Sequence, residues 1–114
     1  MNTDQLTIEI VPSPDCVTLH LNGEIDMHTA PHLREATVCA TRQFSTVLAL
    51  DMAQVAFMDS AGVEVLVAAR RRIDLEGGRL KVLNPSRQVL RVLEVTGIDR
   101  LFEIEHTPPS AGVA

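Results

Sequence analysis

Tryptophan and tyrosine are absent from this 114-residue sequence, and only three phenylalanines represent the aromatics. Single-stranded nucleic acid is bound by stacking bases on aromatic rings and tracking the backbone with basic grooves. Here acids outnumber bases, 15 Asp and Glu against 10 Lys and Arg, for a formal net charge of −5. A direct nucleic-acid partner is therefore not expected. Cysteine is equally sparse. Cys16 and Cys39 are too few for a disulfide framework and lack zinc-site spacing, so two reduced thiols are expected. No apolar run approaches the roughly 20 residues that a membrane helix needs, and the opening MNTDQLTIEI lacks the basic-then-apolar pattern of a signal peptide. The expectation is a soluble cytoplasmic chain with no membrane partner. No Gly-x-x-x-x-Gly-Lys-Ser/Thr loop is present to cradle nucleotide phosphates.

The sequence does hold 46% hydrophobic residues, enough for one core and hardly for two. LTIEIV at 6–11 and VTLHL at 17–21 alternate apolar with polar residues around Pro12-Ser13-Pro14-Asp15, which predicts a hairpin with one wet face. Thr29-Ala30-Pro31 offers a capping hydroxyl and an early proline, and Leu33, Ala36 and Ala40 then recur at helical spacing toward Phe44. TVLAL at 46–50 is continuously apolar, as a strand covered on both faces would be. It ends at Asp51, before a short connection through Val55 and Phe57. Val63, Val65, Leu66, Ala69 and Ile73 suit a second helix stopped by Gly77-Gly78. RLKVL at 79–83 reads as a strand, after which Asn84-Pro85 caps and starts a third helix carrying Val89, Val92 and Leu93, ended at Gly97-Ile98. The pattern permits a brief last strand around 102–104 without requiring it. Residues 1–106 are expected to form the domain, and the rest, within TPPSAGVA, a flexible tail over 107–114. The order β-β-α-β-α-β-α, with that optional strand, predicts a single α/β domain: a mixed sheet with helices packed against it and right-handed crossovers between parallel strands.

One stretch, FMDSAGVEVL at 57–66, sets a hydroxyl beside an acid and two small residues at the start of the second helix. This is the rim where α/β folds place ligand and partner sites. Ser60 can be read there as a helix cap, a nucleophile or a site of modification. A cap would contribute about 1 kcal/mol. It does not account for Met58 before the serine or Ala61-Gly62 after it, which leave bare surface that another molecule can approach. An esterase elbow requires Gly-x-Ser-x-Gly, and Met58 occupies the place of its first glycine. His20, His28, His32 and His106 show no triad arrangement. Asp26, Asp51 and Asp59 fall near the ends of successive elements and could converge on a metal, although the first strand lacks the acidic pair that such phospho-aspartate folds use. Arg70-Arg71-Arg72 point about 100° apart on a helix, so they make a solvated face rather than a phosphate-reading stripe.

Several fragments in order resemble the STAS domains, and specifically the stand-alone bacterial anti-sigma factor antagonists. They are Gly23-Glu24-Ile25-Asp26, Thr29-Ala30-Pro31-His32-Leu33-Arg34, Leu50-Asp51, Phe57-Met58-Asp59-Ser60-Ala61-Gly62-Val63 and Val95-Thr96-Gly97-Ile98, spanning about residues 18–104. The resemblance implies a partner-switching protein, not an enzyme, with no cofactor, metal or catalytic residue. Its unphosphorylated form would bind an anti-sigma factor that is also a serine kinase, and so release a sigma factor for transcription. Phosphorylation of Ser60 would end that binding, and a serine phosphatase would restore it. The partner-binding residues it implies are Asp26, Thr29, Met58, Asp59, Ser60, Ala61, Gly62 and Val63. The alternative is a STAS scaffold that is never phosphorylated, with Ser60 only a cap. Two positions depart from many relatives: Ala61 replaces a second hydroxyl residue, and Glu64 replaces a glycine and would repel a nearby phosphate.

Overall fold

The computed structural model describes residues 5–107. β1 (Leu6–Pro12) and β2 (Val17–Ile25) form the antiparallel hairpin, in register from Leu6 opposite Gly23 to Pro12 opposite Val17. Ser13 closes its turn: the backbone N–H donates to the Cys16 carbonyl at 2.8 Å and the hydroxyl to the same oxygen at 2.9 Å. Pro12 is tolerated because β1 is an edge strand, where a missing N–H breaks no ladder. There follow α1 (Ala30–Gln43), β3 (Val47–Met58), α2 (Ser60–Leu75), β4 (Arg79–Leu83), α3 (Arg87–Val95), a 3-10 turn (Ile98–Leu101) and β5 (Glu103–Glu105). The optional last strand therefore forms. The sheet order is β1-β2-β3-β4-β5, with β1 antiparallel and the other neighbours parallel.

One core joins sheet and helices. Leu19, Leu21 and Ile25 of β2 and Leu48, Leu50 and Met52 of β3 meet Leu33 and Ala36 of α1 and Leu66 and Ile73 of α2. Two threonines lie on the buried face of α1, and their hydroxyls turn back onto the helix: Thr37 donates to the Arg34 carbonyl and Thr41 to that of Thr37. The opposite face of the sheet is polar. Glu9, His20 and Asp51 stand in one register row, with His20 Nδ1 2.9 Å from Asp51 Oδ2.

Three boundaries differ from those the sequence suggests. The stretch through Val55 and Phe57 is strand, not connection: β3 runs twelve residues to Met58, beside a β2 that continues to Ile25. The pairing shifts register between His20 and Asn22 and again between Gly23 and Glu24. The buried positions thus become Met52, Val55 and Met58, three apart, and bulges of this kind erase the alternation that announces a strand. The cap of α3 is Ser86, whose Oγ accepts from the Val89 N–H, rather than Asn84-Pro85. Asn84 instead adopts φ 50°, a left-handed conformation that asparagine tolerates, and its N–H donates to the Glu105 carbonyl at 2.7 Å. The Asn84 side chain also holds Thr107 by two hydrogen bonds, so the first residue of the expected tail is tied to the domain. Residues 108–114 of that tail lie outside the described residues.

Candidate functional site

β2 and β3 run parallel and end together, Ile25 opposite Met58. The Asp59 N–H donates to the Ile25 carbonyl at 3.1 Å, so the loops that leave the two strands emerge side by side. One loop leads to α2, the other to α1.

In the first loop Asp59, not Ser60, is the N-cap of α2. It is extended (φ −112°, ψ −168°), and its carboxylate accepts from the Ala61 N–H at 2.9 Å. Its carbonyl accepts from the Gly62 and Val63 N–H groups at 3.1 and 3.2 Å. On the other side, Gln88 of α3 accepts from the Met58 N–H at 2.9 Å and donates to the Met58 carbonyl at 3.2 Å. Ser60 is then the first helical residue, and it is exposed. Its hydroxyl makes no hydrogen bond among the described residues, so the capping role suggested by the sequence falls to its neighbour.

In the second loop Asp26 makes a tight Asx turn. Its Oδ1 accepts from the His28 N–H at 2.8 Å and the Thr29 N–H at 3.0 Å. The Thr29 N–H above all, helped by the N–H and charge of His28, holds the Asp26 carboxyl below its ordinary pKa, against a smaller opposing effect of burial. Thr29 does not cap α1 with its hydroxyl. Its Oγ1 donates to the Glu24 carbonyl at 2.8 Å and accepts from the Asp26 N–H at 2.9 Å, bracing the turn from within. At the apex Met27 is left 71% exposed.

The eight residues expected to touch a partner therefore divide. Ser60 is exposed, and Asp26, Asp59, Ala61 and Val63 keep part of their surface. Thr29 and Met58, each 1% exposed, and buried Gly62 have little or none to offer. A Cβ on Gly62 would lie 2.5 Å from Met58 Cγ and 2.8 Å from Ile25 Cγ2. The close approach that this glycine permits is that of α2 to the sheet, against Ile25 and Met58. Two exposed apolar residues close to these loops, Met27 and Phe57, were not among the expected partner residues, although for Met27 an apolar residue inside the polar run Asp26-Met27-His28-Thr29 is a legible signal.

The two loops carry acids. Asp26 follows Ile25, whose carbonyl holds the Asp59 N–H, Asp59 precedes Ser60, and Glu64 stands one helical turn after Ser60 on the same face. Asp51 does not join them, being paired with His20 in mid-strand. No group of three or more His, Cys, Asp or Glu that could hold a metal occurs among the described residues. The arginine run diverges: Arg70 reaches Asp74 at 3.5 Å, Arg71 is exposed and Arg72 is half-buried.

Set against known proteins, residues 7–111 match the STAS domain family. The anti-sigma-B factor antagonist of Listeria monocytogenes is 32% identical over 92 residues, covering 81% of this chain and 81% of that one. The structure of the anti-sigma factor antagonist SpoIIAA in its unphosphorylated form is similar with a TM-score of 0.75 at 26% identity, over 95% of this chain and 92% of that one. The Bacillus cell fate determinant SpoIIAA in the phosphorylated form gives a TM-score of 0.70 at 25% identity, over 95% and 96% of the two chains. With its five-stranded mixed sheet and its serine-bearing rim, the chain belongs to the STAS domain family.

Proposed function

We propose that this protein is an anti-sigma factor antagonist switched by phosphorylation of Ser60. The unphosphorylated Ser60 rim binds an anti-sigma factor and so frees a sigma factor for transcription. That anti-sigma factor is a serine kinase, which writes the mark from ATP, and a serine phosphatase removes it. The protein works in the cytoplasm by binding alone, with no reaction or cofactor of its own. The relatives named as anti-sigma factor antagonists, one of them known in both phosphorylation states, support this reading.

The observation that carries it is an exposed Ser60 hydroxyl that bonds nothing among the described residues, on a backbone fixed from both sides. Every hydrogen bond of the loop is made by Met58, Asp59 or the amides after Ser60, so a phosphoryl group can be added without breaking any of them. The helix N-terminus tolerates the new charge. A partner lying over the same spot must desolvate about two charges, and the carboxylates around Ser60 add to the repulsion. One modification thus spares the fold and dismisses the partner. Met27 and Phe57 supply the apolar contact that the buried motif residues cannot.

Incubation with the cognate anti-sigma factor and ATP, followed by intact-mass and fragment analysis, tests the reading. One added phosphoryl group is expected, on Ser60, and none on a Ser60→Ala variant. A captured anti-sigma factor that leaves Ser60 unmodified would instead support the scaffold reading.

A further inference from the structure

β4 accompanies β3 only from Val47 to Asp51, opposite Arg79 to Leu83. Beyond Asp51, β3 keeps β2 on one side, as far as Ile25 opposite Met58, and among the described residues has no strand on the other. An unpaired strand edge leaves backbone donors and acceptors open. The start of α3 fills that place. Ser86 Oγ donates to the Val55 carbonyl at 2.6 Å while it caps α3 by accepting from Val89. The carboxamide of Gln88, which offers one acceptor and one donor side by side, takes both backbone groups of Met58 as a neighbouring strand would.

From this geometry we infer that Gln88 is a positioning residue for the Ser60 switch, a substitute strand that fixes where the serine stands. Met58 is the last residue of β3 and lies two before Ser60. Its amide and carbonyl face α3, and the next amide, that of Asp59, faces β2. The pivot of the loop is therefore clamped from opposite sides. The β2 side is an ordinary ladder bond, whereas the α3 side rests on one side chain, 30 residues away in sequence. Without that side chain the Met58 groups turn to water, and Asp59 and Ser60 lose the fixed direction in which the partner meets them. Binding then carries the cost of ordering the loop each time. Gln88 touches no substrate and is placed to act only through Met58.

This inference rests on the proposed function, and its test separates the two. Gln88→Met keeps the length, volume and helix propensity of the residue but makes neither hydrogen bond. Val17→Ala serves as a control: Val17 is fully buried at the far end of β2, opposite Leu48, and loses stability with no bearing on the rim. In Gln88→Met, amide exchange at Met58 should quicken by about tenfold or more with the global unfolding midpoint little changed. Affinity for the anti-sigma factor should fall roughly tenfold, as the loss of two positioning bonds implies. Val17→Ala should lower the midpoint and keep both rim protection and affinity. Parental protection at Met58 in Gln88→Met would overturn the inference, and so would fast exchange with parental affinity, since packing alone would then suffice. A parent protein that binds no anti-sigma factor would end the proposed function, and the exchange at Met58 would still decide whether Gln88 holds the loop.

Discussion

The backbone amide of Asp59 reaches the carbonyl of Ile25 at 3.1 Å, and this bond brings the turn at Asp26 and the serine at position 60 onto one edge of the sheet. Two loops distant in sequence thereby present a single surface, with Met27 at the apex of one and Ser60 on the other.

Asp26 shapes its loop through charge as well as geometry. Its carboxyl is held below the ordinary 3.8, chiefly by the Thr29 N–H, so the ionised form favours the folded state. That contribution is fully present above about pH 4 and is lost as pH falls through the lowered value. Asp26→Asn keeps an oxygen for the His28 and Thr29 amides but cannot ionise. The melting temperature of the parent should exceed that of the variant by a constant amount above about pH 4, and the gap should close at lower pH. Glu103, also held low, by Arg79, is common to both proteins and cancels. A gap that widens on acidification would contradict the assignment.

Capping of α2 by Asp59 makes a different demand. Asn caps as well as Asp, whereas Ala removes the acceptor for the Ala61 N–H at a loss of about 1 kcal/mol. Urea unfolding should place Asp59→Asn near the parent and Asp59→Ala below it by about that amount. Equal losses in both would mean that charge, not the cap, matters at this position.

Gly62 should behave as a core residue. An added methyl meets Met58 and Ile25 well inside contact distance, and overpacking of this kind costs about 1–3 kcal/mol, against roughly 1 kcal/mol gained in helix propensity. Gly62→Ala should lower stability modestly, and Gly62→Val, which is β-branched and larger, considerably more. The folded fraction of each should bind the partner as the parent does. A stable Gly62→Ala with weakened binding would return this glycine to the interface.

Much of this edge was legible in the sequence, and the reason lies in which signals are local. The apolar stripe Val65, Leu66, Ala69 and Ile73 announced α2, and Gly97, with φ 76°, marked the end of α3. The motif around Ser60 marked the start of α2. What stayed hidden depends on contacts between distant residues. The β-bulges in β3 turned its second half into a three-residue spacing that reads as a connection. The exchange of roles between Asp59 and Ser60 turned on one residue's register at the helix start. Thr29, Met58 and Gly62 carry the motif yet face inward, because a motif records what shapes a loop as readily as what a partner touches. Gln88 gave no signal at all, since a strand edge has to be seen before its substitute can be recognised.

The central claim is that a charge written on Ser60 dismisses the partner and spares the fold. Calorimetric titration of four forms, Ser60, Ser60→Ala, Ser60→Asp and phosphoserine, against the cognate anti-sigma factor, with melting curves alongside, tests it most directly. Because the Ser60 hydroxyl bonds nothing among the described residues, Ser60→Ala should bind like the parent, with stability nearly unchanged. Aspartate brings about one charge on a shorter arm and should weaken binding in part, and phosphoserine, with about two charges, should weaken it most. Burying an unpaired charge at an interface costs roughly 2 to 5 kcal/mol, a loss of about 30-fold to several thousand-fold in affinity. The helix N-terminus offsets the charge within the free protein, so melting temperatures of the four forms should stay close together. A phosphoserine form that binds as tightly as serine would contradict the account, and so would one that loses binding only because it has unfolded.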